Sequence, residues 1–287
     1  MARESDLVSI GDVLGAADFW KPNTLEEEVA KFKGRNDLYK DAEGILRCKK
    51  CHEPRVFFLA EAKRWLPCAC KCCGKESKDD FQERVAQLKA ESGIEGRNAK
   101  ADFDDCEITA ENEEIFNSCL RFAMNWKQVK KNGMGMYLYG DKDTGKTFLA
   151  CCIANMLLDA GVRVIFATAD SLLTELSEDY QKKADKTLMY DKFCAADLLI
   201  VDGLGSRQLD GKAYGAQGYA QDRLQQLIDE RHTLEMSTIF TSQYTLQDLV
   251  NRGFRSSTVD RISEMSTRKF QVRGEHHRQR KVGEIPF

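Results

Sequence analysis

Lysine, threonine and two glycines fall at fixed spacing in Gly140-Asp-Lys-Asp-Thr-Gly-Lys-Thr147, which fits G-x-x-x-x-G-K-[ST] at every fixed position. A nucleoside triphosphate needs several donors converging on its phosphate oxygens. A loop without bulky side chains aims backbone N–H groups at them, and the helix that follows adds its positive end. Gly140, Asp141, Lys142, Asp143, Thr144, Gly145, Lys146, Thr147 and Phe148 are therefore the expected nucleotide-binding residues. Lys146 supplies a charge for the β- and γ-phosphates, and Thr147 a hydroxyl for Mg²⁺. Asp141 and Asp143 are expected to face solvent, because carboxylates turned toward phosphates would repel them.

Asp202 follows four apolar residues, as a magnesium-holding carboxylate at a strand end would. The next position commonly carries an acid that orients the attacking water; here it is Gly203. Either another residue positions the water, or turnover is slow and ATP acts more as a switch. Gln243 lies just past Thr241-Ser242, where an amide could reach the γ-phosphate or the water. Further on, Asn251–Ile262 includes Arg255 and Arg261. They are six residues apart, so one helix would not aim both at one phosphate. One could serve the nucleotide of its own subunit and the other that of a neighbour.

A second chemistry is written in cysteine. Cys48-Lys-Lys-Cys51 is a C-x₂-C knuckle, and 16 residues later comes Cys68-Ala-Cys-Lys-Cys-Cys73. Paired thiolates separated by a loop build a tetrahedral Zn²⁺ site, which folds a segment too small for an apolar core of its own. Cys48, Cys51, Cys68 and Cys70 are the expected ligands, with Cys72 a close rival. Cys73 adjoins Cys72 and is less suited to share one ion with it. His52 reads as a bystander. The cysteine excess and the lack of a His-x-Glu partner favour a closed structural site over a catalytic one. An iron–sulfur cluster or a redox switch is a weaker alternative.

Strands and helices must hold these groups in place. Residues 136–139 have the composition of a buried strand, and apolar residues 148, 149, 152, 153, 156 and 157 form one helical stripe behind the glycine loop. Arg163–Ala167, Asp197–Asp202 and Ser237–Ser242 read as strands. Asp170–Tyr180 and Tyr219–Arg231 read as helices, with Leu172, Leu173 and Leu176, then Leu224, Leu227 and Ile228, facing inward. That alternation calls for a parallel sheet covered on both faces, with ligands at the strands' carboxyl ends.

Upstream, residues 109–129 read as one helix capped by Thr109 or Asn112, with Ile115, Cys119, Phe122, Ala123 and Trp126 inward. Phe81, Val85 and Leu88 make a weak stripe, broken at Ser92–Gly96, where the domain boundary is placed. Pro54–Leu59 and Arg64–Leu66 suggest a small hairpin whose outer face meets a partner. Leu7–Leu14 and Thr24–Phe32 are short helix candidates, the second capped by Thr24 and Glu27. The expected fold class is α/β: a P-loop NTPase core, with a small N-terminal cysteine-rich zinc-binding domain over 1–95 and the ATPase domain over 96–287.

Composition narrows the partners. A formal charge of −3 leaves no global basic field for nucleic acid. The tail is a local basic end, with Arg268, Lys269, Arg273, Arg278, Arg280 and Lys281. No apolar run approaches the length of a membrane span, and the start lacks a signal-peptide core, so a cytoplasmic protein is expected. Eleven cysteines in a reducing compartment argue for metal or free thiols.

Residues 135–278 resemble the AAA+ ATPase core of bacterial replicative helicase loaders of the DnaC and DnaI type, and are similar to the IstB transposition ATPases. The residues that carry the likeness are Tyr139–Ala150, Ala196–Gly205, Thr238–Gln243 and Arg255–Met265. The cysteine cluster resembles the zinc module of many such loaders. By this resemblance Lys146 and Thr147 are the Walker A pair and Asp202 the Walker B carboxylate. Gln243 stands at the sensor 1 position, usually Asn. Arg255 matches the arginine finger and Arg261 the sensor 2 arginine. The resemblance implies ATP, Mg²⁺ and Zn²⁺ as cofactors, with weak ATP hydrolysis. It implies a replicative DNA helicase, single-stranded DNA and further copies of the chain as partners, and no membrane. Two alternatives follow from the same residues: a transposition helper that coats DNA, and an ATP-gated adaptor with little hydrolysis.

Overall fold

The computed structural model describes residues 24–59, 64–67, 78–181, 188–206 and 219–273. Its centre is a five-stranded parallel sheet in the order β6-β7-β8-β5-β9. The strands are β5 (Gly135–Tyr139), β6 (Val164–Thr168), β7 (Leu198–Leu204), β8 (Ser237–Ser242) and β9 (Ser266–Gln271). The apolar runs predicted for the first four are buried on both faces, as parallel strands between helices must be.

Side chains alternate between two cores. Met136, Leu138, Leu198, Ile200 and Ile239 enter the cluster shared with helices α3 (Glu113–Met124) and α5 (Lys146–Asp159). Tyr137, Leu199, Val201 and Phe240 enter the opposite cluster. That second cluster is shared with α6 (Ala169–Gln181), α8 (Tyr219–Thr233) and α10 (Ser256–Met265). The inward leucines expected on α6 and α8 are buried there. The even-numbered parity of β7 carries Asp202 to the α5 side, and the parity of Ile239 carries Thr241 to the same side.

Three sequence expectations change. The stretch 109–129 is two helices, α3 and α4 (Trp126–Lys131), divided at Asn125, whose Nδ2 donates to Arg121 O at 2.9 Å. A side-chain amide competing for a helix carbonyl is a local way to stop a helix. The expected stripe on α5 is wider than one face: Ala150, Cys151, Ala154 and Leu158 are buried too. α3 and α2 (Lys78–Glu91) cover its outer side, so the helix is an inner layer. The basic stretch at Arg268 and Lys269 is part of β9, an edge strand paired through its backbone to β5.

Packing does not break at Ser92–Gly96. Ile94 is buried in the core, and Phe166 N–H donates to Ser92 O at 2.7 Å. Gly93, at φ +78°, lies so close to Phe166 O that a Cβ would collide with it. α2 sits on the end of α5. Arg84 Nη1 donates to Gly161 O at 2.7 Å and Lys89 pairs with Asp159 at 2.5 Å. The Phe81 ring meets Phe57 of the preceding hairpin at 5.6 Å.

The N-terminal part is built of small pieces. α1 (Leu25–Ala30) starts at the predicted capping box, in which Thr24 and Glu27 each bond the other's backbone N–H. β1 (Leu38–Lys40) pairs antiparallel with β2 (Leu46–Cys48), and β3 (Val56–Leu59) with β4 (Arg64–Pro67). The second pair is the expected hairpin. Its Phe58 is exposed and lies 5.5 Å from the Trp65 ring. The candidate helix Leu7–Leu14 lies outside the described residues.

Candidate functional site

The loop between β5 and α5 is shaped by backbone conformations that few side chains tolerate. Gly140 has φ +139°, and a Cβ there would run into Val272 O. Gly145, at φ +91°, is the residue before α5 and turns the chain into it. Asp143 also has positive φ, at 63°. Asp141 is exposed, as expected, and so is Lys142; Asp143, also expected to face solvent, is half-buried.

Lys146 is buried, and its ammonium bonds Asp141 O and, at 3.1 Å, Thr144 Oγ1. Burial pulls its pKa below the usual lysine value, against the opposing pull of Asp141, Asp202 and Asp143. The charge is thus held ready beside the loop by nearby oxygens.

Thr147, the second residue of α5, donates to Asp202 Oδ1 at 2.7 Å. Thr241 donates to the same oxygen at 2.6 Å. These oxygens suit a hard cation: a hydroxyl and a carboxylate at the mouth of a phosphate loop are ligands that magnesium takes together with phosphate and water. Thr147 and Asp202 would hold it. Sequence reading missed Thr241. Its hydroxyl is one of four in a strand that reads Ser-Thr-Ile-Phe-Thr-Ser, so polarity alone does not single it out.

The other expected catalytic residues are less concentrated. Gln243 follows β8 and is half-buried, with no side-chain hydrogen bond to a described residue. Arg255 precedes α10 on the opposite face of the sheet, ion-paired with Asp222 and 3.4 Å from Gln225 Oε1. Arg261 pairs with Asp229 at 3.3 Å and Glu264 at 2.7 Å. Arg261 sits within α10, which leads directly into β9. Arg252, which the sequence did not single out, is nearer the strand ends: its Nε donates to Gly205 O at 2.8 Å and its guanidinium lies 4.2 Å from the Tyr244 ring centre.

At the cysteine knuckle, β2 ends on Cys48, which is buried, and the chain turns through Lys49-Lys50-Cys51. Lys50 N–H points at Cys48 Sγ at 3.4 Å, and His52 N–H donates to Cys48 O at 2.9 Å. The turn gives Cys48 Sγ a backbone donor and leaves Cys51 Sγ 3.9 Å from Glu53 Oε2, and two cysteines at this spacing fit one half of a zinc site. His52 Nδ1 lies 3.0 Å from Tyr39 Oη. Cys68, Cys70, Cys72 and Cys73 lie outside the described residues. Among the described residues no group of three or more His, Cys, Asp or Glu gathers around a metal position.

A family model described as IstB-like ATP binding protein matches residues 83–284. The chain belongs to that family. This IstB-like chain is 26% identical over 177 residues to the uncharacterized protein YdaV of Escherichia coli K12, covering 57% of the chain and 66% of YdaV. It is 22% identical over 183 residues to the replicative helicase loader DnaC of Buchnera aphidicola, covering 62% of the chain and 68% of that protein. The aligned stretch is thus just under two thirds of YdaV's length. A crystal structure of the DnaC helicase loader superposes with a TM-score of 0.53 at 21% identity, covering 62% of this chain and all of that one. The IstB-like chain therefore has the AAA+ P-loop fold that its sequence predicted. Among the described residues no helix is long and apolar enough to cross a membrane.

Proposed function

We propose that this protein is an ATP-dependent loader that binds a replicative DNA helicase and helps place it on single-stranded DNA at the start of replication. One observation carries most of the reading: Lys146, Thr147 and Asp202 converge at the mouth of a phosphate loop, on a sheet of the DnaC fold. ATP is gripped by Gly140–Phe148, and Mg²⁺ by Thr147 and Asp202. Gln243 reaches the γ-phosphate or the attacking water, and Arg255 serves the nucleotide of a neighbouring copy. With Gly203 after Asp202, turnover is slow, and ATP acts chiefly as a timer.

In this reading the N-terminal part, 1–95, is the helicase-facing zinc module, with Cys48, Cys51, Cys68 and Cys70 on the metal, and 96–287 is the ATPase. α2 links the two, touching Phe57 on one side and Gly161 on the other. The protein works in the cytoplasm, as a homo-oligomer on the helicase ring. Co-sedimentation of the full chain with a replicative helicase, with and without ATP, tests this. ATP-dependent capture is expected, and indifference to the helicase with ATP present sinks the loader.

The family match favours one second reading, a transposition helper that coats DNA. The double substitution Cys48→Ser/Cys51→Ser separates the two. A loader loses its helicase, whereas a DNA-coating helper still forms filaments on duplex DNA.

A further inference from the structure

β7 and β8 fall out of step beside the nucleotide loop. Val201 pairs with Phe240, and the next pair is Leu204 with Ser242. Asp202 and Gly203 therefore face a single residue, Thr241. Two residues opposite one is a β-bulge, a feature that re-aims side chains next to active sites.

The bulge has two physical consequences. Gly203 takes φ +73°, a left-handed conformation that costs other residues energy. Its N–H also leaves the strand ladder and needs another acceptor, since a buried unpaired donor costs on the order of 1–3 kcal/mol. Glycine itself meets the first, and Thr241, 1% exposed, supplies the acceptor. Its Oγ1 accepts from Gly203 N–H at 2.9 Å and donates to Asp202 Oδ1 at 2.6 Å. A threonine hydroxyl has one proton. Gly203 N–H can only donate, so the threonine proton is committed to the carboxylate.

We propose that Thr241 is the positioning residue of the magnesium site: it locks the bulge and fixes which oxygen of Asp202 faces the ion. Thr147 and Thr241 both spend their protons on Oδ1. Oδ2, to which no described residue donates, would be the oxygen left for magnesium or its water. Thr241 touches neither nucleotide nor metal and acts through Asp202. The same geometry accounts for glycine at position 203, because the residue there must hold positive φ for Thr241 to reach its N–H. This inference rests on the ATP-binding reading and deepens it.

Thr241→Val removes the hydroxyl at nearly constant shape, and Thr241→Ser restores it. The first readout is amide hydrogen exchange at Gly203 in the full chain without nucleotide. Protection is expected in wild type and in the serine variant, and loss of it in the valine variant. The second is the affinity for a fluorescent ATP analogue in Mg²⁺ and in EDTA. The valine variant should bind as wild type in EDTA and lose about tenfold of the gain that Mg²⁺ brings, roughly one hydrogen bond's worth. The serine variant should recover it.

A Gly203 amide in wild type that exchanges as fast as an exposed loop overturns the clamp, whether or not the variants fold. So does a valine variant with undiminished magnesium dependence, or a serine variant as impaired as valine. If wild type binds no analogue in either buffer, the ATP reading fails, while the amide measurement still decides the clamp.

Discussion

The central sheet and the N-terminal hairpins solve the problem of holding a shape in opposite ways. The sheet buries side chains on both faces, in two large clusters separated by one layer of strands. Each fully buried Leu, Ile or Phe contributes about 1.5–3 kcal/mol, so this region stays folded whatever it binds. The hairpins are three or four residues per strand, and among the described residues their cluster has Val29, Leu38, Leu46, Cys48 and Val56 at its centre. Charged groups intrude: Glu28 is buried and paired with Lys31, and buried Arg55 lies 5.9 Å from the Phe32 ring centre. In the sheet, chemistry is carried at the ends of strands and the start of α5, over a finished scaffold. In the hairpins, the residues suited to chemistry are part of the scaffold.

Metal removal should expose that difference most strongly. Structural zinc in small modules contributes roughly 10–16 kcal/mol to folding. Chelation, or Cys48→Ser, is expected to release zinc, detected by mass spectrometry, and to open residues 24–67 to protease. The main thermal transition of the sheet should stay within about 2 °C. Protein that contains no metal, with hairpins that stay protease-resistant, would erase the contrast.

The next largest effect belongs to the sheet alone. Arg231 is 1% exposed, and its guanidinium donates to Phe193 O, Cys194 O, Ala196 O, Ser237 O and Thr238 Oγ1 at 2.6–3.3 Å. Burial holds its pKa down to about 10, so it is still charged at neutral pH. Arg231→Met takes its donor away from five acceptors. Urea unfolding should show a loss of about 3–5 kcal/mol, with protease sensitivity of the hairpins unchanged.

Lys146→Ala sharpens the comparison from the ligand side. Losing a charge-assisted bond to phosphate costs roughly 3 kcal/mol, or about 100-fold in ATP affinity. The ligand-free protein should lose no stability, because the lysine is buried at a cost that its depressed pKa registers. Calorimetry and thermal melting read the two halves. An equal loss of stability and affinity would mean that Lys146 helps build the scaffold.

The sheet's chemistry was legible in the sequence where it depends on local spacing. Gly140, Lys146 and Thr147 are neighbours in the chain, and Asp202 ends a run whose apolarity betrays a buried strand. Thr241 was not legible. Its role arises from a register shift between strands whose partners are 39 residues apart, and no local pattern records that. β9 was missed because Ser-Thr-Arg-Lys-Phe-Gln is polar, and an edge strand held by backbone bonds needs little apolar pattern. α2 showed only a weak stripe because its apolar side is shared between Phe57 and α5. The cysteine spacing predicted a metal site of which only the Cys48–Cys51 half lies among the described residues.

The smallest effect bears on what the sheet's rigidity is for. Gly203 looks in the sequence like a missing acid, yet in the fold it is the residue that lets the bulge exist. A Cβ at this position would have room, since its nearest neighbour is Ser206 Oγ at 4.0 Å. The cost of Gly203→Ala is therefore conformational, about 1–2 kcal/mol for positive φ. It should appear as a drop of about 2–8 °C in the melting temperature, with magnesium-dependent nucleotide binding retained if the bulge holds. Gly203→Glu restores the acid but places it on a left-handed backbone, where it points differently from a residue in a regular strand. Phosphate release should rise less than about twofold over wild type. An increase of tenfold or more, close to 1.4 kcal/mol off the barrier, would show that the position lacks only its carboxylate and that the bulge places no limit on turnover.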